Sequence, residues 1–401
     1  MHIVENLALN CGCKIASPKI QQVFVPVEHP NYITIDNGEF TEEKSYDLFN
    51  CVFKIIKPLL QKAGIKIFQV SKLKDTQGIY GIDKDLSGTT YRQKSYLIYH
   101  SMLHICVDSF SAQVAGMYDK KTVFIPSILH EGNSKPFFNS YKNLKVVSPD
   151  TEIKPSLNTK EPVKRINQTK PEDVAKAILS SLNIEFDFPY KTVFLGNKIN
   201  SIEIDCVPNA FFKLESEGAI NIRLDYLYNE QNLINLLNNN NSNIYTNKLI
   251  PTRILRNFQK SIKSVIYIID SNHDPKFAYS LKKVGIDFKL VTYDKENLEN
   301  YKLAYMDYGV VKLLEKYKFE DIKETKGNKD LKIENVYYIS NKIFQNREKT
   351  YPGFLASMQG LDNVSVAEKN PEDHIRQITY KAEDNDFFWR DVENFWLLEK
   401  I

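Results

Sequence analysis

The residues best suited to chemistry lie in one stretch, Leu103-His104-Ile105-Cys106-Val107-Asp108-Ser109-Phe110-Ser111-Ala112-Gln113-Val114-Ala115-Gly116-Met117. An apolar run of strand character ends in Asp-Ser, and small and apolar residues at helical spacing follow at once. The pattern predicts a buried strand that turns into a helix at Asp108 and Ser109. In an open parallel sheet such a junction borders the crevice where ligands bind, because the first helical turn presents unpaired N–H groups and the positive end of its dipole. An anionic diphosphate suits that place. The competing reading is that Asp108 or Ser109 merely caps a helix.

The elements before the junction predict a parallel sheet. Tyr32-Ile33-Thr34-Ile35 reads as a buried strand closed by the turn Asp36-Asn37-Gly38. From Ser45 to Lys62, Leu48, Phe49, Val52, Phe53, Ile55, Ile56, Leu59 and Leu60 recur at helical spacing, with Pro58 expected to kink or interrupt the last turns. Ile65 to Val70 is the next strand, and Gly88-Thr89-Thr90-Tyr91-Arg92-Gln93 opens a helix that runs to about Ser101. Strand, helix and strand in units of about 30 residues mark helical crossovers. Residues 1 to 30 read as a lead-in segment over the surface, and Lys121 to Ser127 as a further strand.

The chain has 401 residues, 42% of them hydrophobic, which is too long for one typical domain and ample for two cores. The composition turns polar between Ser148 and Lys170, and the boundary is expected near Phe188: a domain over 1–187 with its linker, and a second α/β domain over 188–401. In the second half, Ser264 to Asp270 is the strongest strand, followed by a helix from Pro275 to Val284 and a strand from Asp287 to Thr292. The aromatic clusters Phe387-Phe388-Trp389 and Phe395-Trp396-Leu397-Leu398 read as a C-terminal helical tail packed onto the body.

A net charge of +3 implies no strong field toward nucleic acid or membranes. Only Arg253, Arg256, Lys260 and Lys263 make a modest basic face, so a nucleic acid is a weakly supported partner. Five cysteines do not describe a disulfide framework, and the Cys11-x-Cys13 pair lacks the second pair that a zinc site needs. No apolar run is long enough to span a bilayer. A soluble cytoplasmic protein with no metal is expected.

The first half, over residues 20 to 150, resembles the donor-binding half of the heptosyltransferase-like glycosyltransferases of GT-B architecture. Glu43-Lys44-Ser45-Tyr46-Asp47 is similar to the family's Lys-x-Trp-Pro segment, Gly88-Thr89-Thr90-Tyr91-Arg92-Gln93 to its second helix opening, and Asp108 to Ala115 to its Asp-Ser-Gly-x-x-His-x-Ala signature. The family's Gly is Phe110 here and its His is Gln113, which cannot titrate. The resemblance implies two Rossmann-like domains with the donor type first, the reverse of the family's order. It also implies a nucleotide-diphosphate sugar as donor substrate, an unknown acceptor and no separate cofactor.

Breaking the anomeric C–O bond of such a donor puts negative charge on the leaving diphosphate, which an ammonium and helix amides stabilise most in the transition state. The resemblance assigns that contact to Lys44, with Thr89, Thr90, Ser109, Ser111 and Gln113 as hydrogen-bond donors and Asp108 orienting sugar hydroxyls or holding the loop. No catalytic base is carried over. Asp205, Asp225, Asp270 and His273 are candidates that read more readily as turn or cap residues, and none is assigned as catalytic. The rival readings are a nucleotide-binding or structural module without chemistry, and a transferase acting on modified nucleic acid.

Overall fold

The computed structural model describes residues 1–16, 18–38, 44–72, 79, 81–149, 164–196, 199, 203–209, 220–314, 318–325, 330–340, 342–346, 349–351, 353–358, 380–385, 388–389 and 392–401. Glu43, Phe387 and most of the expected linker lie outside them. Over the described residues the chain divides into two compact units, the first running from Met1 to Thr192 with Ile401 and the second from Val193 to Lys400.

The first unit opens with α1 (Ile3–Cys11), where the sequence predicts only a lead-in. His2 Nδ1 accepts the Val4 N–H, the Glu5 carboxylate accepts the His2 N–H, and Gly12 ends the helix at φ 63°. Histidine is an uncommon cap, which hid this capping box. There follow β1 (Tyr32–Asp36), α2 (Phe49–Lys62), β2 (Lys66–Ser71), β3 (Lys84–Asp85), α3 (Tyr91–His100), β4 (His104–Val107), α4 (Phe110–Met117), β5 (Thr122–Ile125), the single turn α5 (Glu131–Ser134), β6 (Leu144–Val146) and α6 (Pro171–Ser181). Helix α2 continues through Pro58 to Lys62, so the proline does not interrupt it.

All six strands are parallel in the order β3-β2-β1-β4-β5-β6. The order reverses between β1 and β4, where Ile35 pairs with Ile105. This is the doubly wound arrangement, and its crevice lies beyond the carboxyl ends of those two strands. Ile33, Ile35, Ile105 and Val107 are fully buried, as expected of strands covered on both faces.

Strand β7 (Tyr190–Leu195) carries the chain from one unit to the other. The second unit continues with β8 (Glu203–Cys206), β9 (Ile220–Arg223), α7 (Glu230–Asn239), β10 (Ser242–Thr246), α8 (Thr252–Asn257), β11 (Ile262–Ile268), α9 (Pro275–Val284), β12 (Phe288–Thr292), α10 (Leu298–Ala304), β13 (Val311–Leu313) and α11 (Phe319–Thr325). Then come β14 (Val336–Ser340), β15 (Lys342–Asn346), β16 (Lys349–Tyr351), α12 (Phe354–Met358), β17 (Tyr380–Lys381) and β18 (Phe395–Lys400). Its large sheet has the order β13-β12-β11-β10-β9-β8-β15-β16, parallel except for β16.

Strands β8 to β13 lie in chain order and the order turns back between β8 and β15, which pair in parallel, so the unit is α/β with a largely parallel sheet. Along β9, Ile220 and Ile222 join the apolar core with Leu233, Leu237, Phe277 and Leu281 of α7 and α9, while Asn221 and Arg223 point to the opposite face.

The C-terminal helical tail is corrected. Phe395–Lys400 is a strand between β14 and β7, and Phe395, Trp396, Leu397 and Leu398 are all buried. A short apolar run covered on both faces fits a central strand as well as a helix, and pairing with β14 decided it.

Candidate functional site

The site is built at the reversal point of the first sheet. Strand β1 ends in Asp36, whose carboxylate accepts the Gly38 N–H at 2.7 Å and so folds the chain back over the strand end. Gly38 sits at φ 83°, a left-handed turn that suits glycine. Next to it, β4 ends at Val107, and Ser109 caps α4 by accepting the Ala112 N–H. Ser109 Oγ also donates to Asp36 Oδ2 at 2.7 Å, and Ser111 Oγ hydrogen-bonds the same oxygen. Asp36 thus ties the two strand ends together.

Lys44 Nζ lies 3.3 Å from Asp108 Oδ2, with the lysine side chain 34% exposed and the aspartate 12%. Ser127, after β5, reaches the same Asp108 oxygen at 3.5 Å. The N-terminus of α3 opens beside that of α4. Thr90 and Gln93 form a reciprocal capping box there, and the Tyr91 ring meets Phe110 edge-on at 4.8 Å. Phe110 stays 44% exposed, so it does not plug the strand ends. Thr89 Oγ1 donates to the Leu86 carbonyl at 2.7 Å.

Beneath the site runs a buried polar chain. His104 places Nε2 2.9 Å from Ser111 Oγ and Nδ1 2.9 Å from Thr34 Oγ1, and Thr34 in turn reaches Ser101 Oγ. Burial pushes the imidazole down to about 4, with the Asp36 carboxylate only partly opposing it, so His104 is neutral at ordinary pH. Lys94 reaches Ser71 at the end of β2, and burial lowers its pKa while Asp36 counteracts.

Of the residues singled out in the sequence, the structure brings Lys44, Asp108 and Ser109 together. Thr89 and Thr90 sit at the neighbouring helix start. Ser111 is 3% exposed and held by Asp36 and His104. Gln113 is engaged with another loop: its amide donates to the Ser134 carbonyl at 3.1 Å and accepts the Phe137 N–H at 3.1 Å. Sequence reasoning missed Asp36, read as a turn residue, and His104 and Lys94, which carried no motif. An acidic residue closing a buried strand was the one available signal for Asp36.

In the second unit, Asp205 is buried between Arg223 at 2.8 Å and Lys342 at 3.2 Å. Burial pushes its carboxyl up, but the two cations outweigh that and hold it below the usual range. Asp225 accepts from Nε and Nη2 of Arg223, at 2.9 and 2.7 Å. His273 meets the Tyr305 hydroxyl, and Asp270 accepts from Asn247. On the modest basic face, Arg253 is paired with Glu230. Among the described residues no three His, Cys, Asp or Glu side chains come close enough to hold a metal ion, and no helix is long and apolar enough to cross a membrane.

No family model matches the chain, and no curated protein matches it. Among solved structures, a glycosyl transferase of family 9 from Veillonella parvula is similar at 12% identity and a TM-score of 0.31, over 45% of this chain and 50% of that one. The E. coli heptosyltransferase WaaC with ADP is similar at 13% identity and a TM-score of 0.29, over 44% and 54%. The chain therefore spans about half the length of the structures it matches.

Proposed function

We propose that the first unit holds the diphosphate of a nucleotide-sugar at the β1/β4 crevice and that the protein transfers the sugar to an acceptor. The observation that carries this reading is Lys44: a partly exposed ammonium held 3.3 Å from Asp108, at the sheet reversal where two capped helices begin. Sequence resemblance at the three segments bordering that place supports the same reading. Lys44 and the free amides of α3 and α4 counter the charge that grows on the leaving diphosphate. Asp108 positions the lysine, and Asp36 sets the α4 cap.

On this reading the donor-type unit comes first in the chain and no metal takes part in holding the diphosphate. Ser111 and Gln113, engaged within the unit, position the site rather than touch the ligand. Those two internal engagements also favour the second reading, a nucleotide-binding module without transfer chemistry.

Calorimetric titration with ADP, UDP and their sugar conjugates tests the proposal. The expected result is binding that weakens about tenfold in Lys44→Ala, since hydrogen bonds to charged groups contribute roughly 1.5–3 kcal/mol. Nucleotide-sugar turnover separates transfer from binding alone. Absence of binding by every nucleotide at millimolar concentration would overturn both readings.

A further inference from the structure

The second unit contains a cavity of about 760 Å³. It opens at the carboxyl edge of the large sheet, lined by residues that follow β9, β10, β11 and β12 and by Phe354 at the start of α12. Its volume is in the range that holds small organic ligands. The charged lining residues are Asp225, Asp270 and Asp294, and no lysine, arginine or histidine is among them, although the whole chain is net positive at +3.

Those three carboxylates are not equivalent. Asp225 is neutralised by the two-pronged contact with Arg223. Among the described residues, Asp270 accepts from neutral groups, the Asn247 amide at 3.0 Å and the Asn272 N–H at 2.9 Å. Asp294 likewise accepts from the Asn297 N–H and amide and from the Tyr301 hydroxyl. The Asn297 contacts hold the Asp294 carboxyl below its ordinary value, so it is charged at neutral pH. Two negative charges therefore border the cavity with no cationic partner among the described residues. Asn247 adds a buried carbonyl oxygen that has no hydrogen-bond partner among them.

Ile268, Ile269 and aromatic rings supply the apolar wall: Tyr293, and Tyr226, which stacks on Phe354 with centroids 4.1 Å apart and carries the Arg223 guanidinium over its ring at 4.0 Å. Apolar and aromatic surface packs against a carbon skeleton, while ionised carboxylates accept the N–H groups of a cation. A divalent metal is disfavoured, because no three acidic, histidine or cysteine side chains of the described residues converge. A neutral polyol would leave two carboxylate charges uncompensated.

We propose that this cavity binds an organic ammonium ligand, its N–H groups on Asp270 and Asp294 and its carbon skeleton against Tyr226, Tyr293 and Phe354. The site does not depend on nucleotide binding by the first unit, and the two are separately testable.

The test is calorimetric titration of the full chain with glucosamine, spermidine and ethanolamine, and with N-acetylglucosamine as the uncharged counterpart. At least one amine is expected to bind at millimolar concentration or below, with N-acetylglucosamine at least about tenfold weaker. Asp270→Asn, which keeps the side-chain shape, is expected to weaken amine binding about tenfold and to leave ADP binding unchanged. Asp294→Asn serves as the second variant, with circular dichroism reporting that each variant folds. Failure of all three amines to bind, equal binding of the uncharged sugar, tighter binding of Mg²⁺ or Ca²⁺ alone, or unchanged amine affinity in folded Asp270→Asn would each overturn the proposal.

Discussion

Ser109 and Asp36 lie 73 positions apart in the chain, yet the serine hydroxyl donates to the aspartate at 2.7 Å. That bond joins the end of the first strand to the cap of the helix that follows the fourth. The same carboxylate holds Gly38 and Ser111, so one buried side chain sets the shape of the crevice from both sides.

Replacing Asp36 with Ala leaves two hydroxyls and one N–H without their acceptor. Each such group costs about 1–3 kcal/mol when buried, so urea unfolding should show a loss of at least about 2 kcal/mol. Nucleotide affinity should fall with it. Asp36→Ala with wild-type stability would remove Asp36 from its organising role.

Lys44→Ala should behave in the opposite way. The Lys44–Asp108 pair is partly exposed, and such pairs contribute about 0.2–1 kcal/mol, so the melting temperature should scarcely change while nucleotide binding weakens. A large melting shift with intact binding would make Lys44 structural.

Gln113→Leu separates position from contact. It breaks the link between α4 and the loop at Ser134 and Phe137, at a cost of about 1–3 kcal/mol, equivalent to a melting temperature lower by a few degrees. If Gln113 instead touched the ligand, ADP affinity would fall with no change in melting.

His104 predicts an acid-sensitive fold. Its pKa is about 4 in the folded protein and about 6.5 unfolded, so the unfolded chain binds the extra proton first as pH drops. Stability is complete above about pH 6.5 and declines toward pH 4, by up to about 3 kcal/mol from this residue. His104→Gln should flatten that part of the urea-midpoint profile. Parallel profiles for the two proteins would refute the assignment.

In the second unit, Asp205→Ala would remove the buried carboxylate that Arg223 and Lys342 share, although Arg223 keeps Asp225, and removing one partner of a buried pair costs about 3–5 kcal/mol. Chemical denaturation measures it directly. A loss below about 1 kcal/mol would show that water reaches the pair.

Much of the first sheet was legible before the structure because local signals agreed there. The buried run before Asp108, the cap residue Ser109 and the helical spacing after it all point to one junction, which became β4 and α4. The same holds for Pro275 to Val284, bounded by a helix-starting proline and Gly285. Elements without such agreement were misread: α1, capped by a histidine, and β18, whose buried run has no period to distinguish strand from helix.

Other features have no local signal at all. Asn221 donates to Asp205, Asn243 to Asn221 and Ser264 to Asn243, a row of cross-strand hydrogen bonds that exists only because β8 to β11 pair in matching register.

The sequence alone determined the residue types at the strand-to-helix junction and the periodicity that makes both halves α/β, because these depend on neighbours a few positions away. Only the tertiary structure decided which side chains are engaged. Strand order and register bring Asp36 under Ser109 and Ser111, draw Gln113 to the Phe137 loop, and leave Asp270 and Asp294 without a counter-charge among the described residues. Hydrogen bonds and charge pairing act over a few ångströms in space, and separation along the chain does not encode that distance.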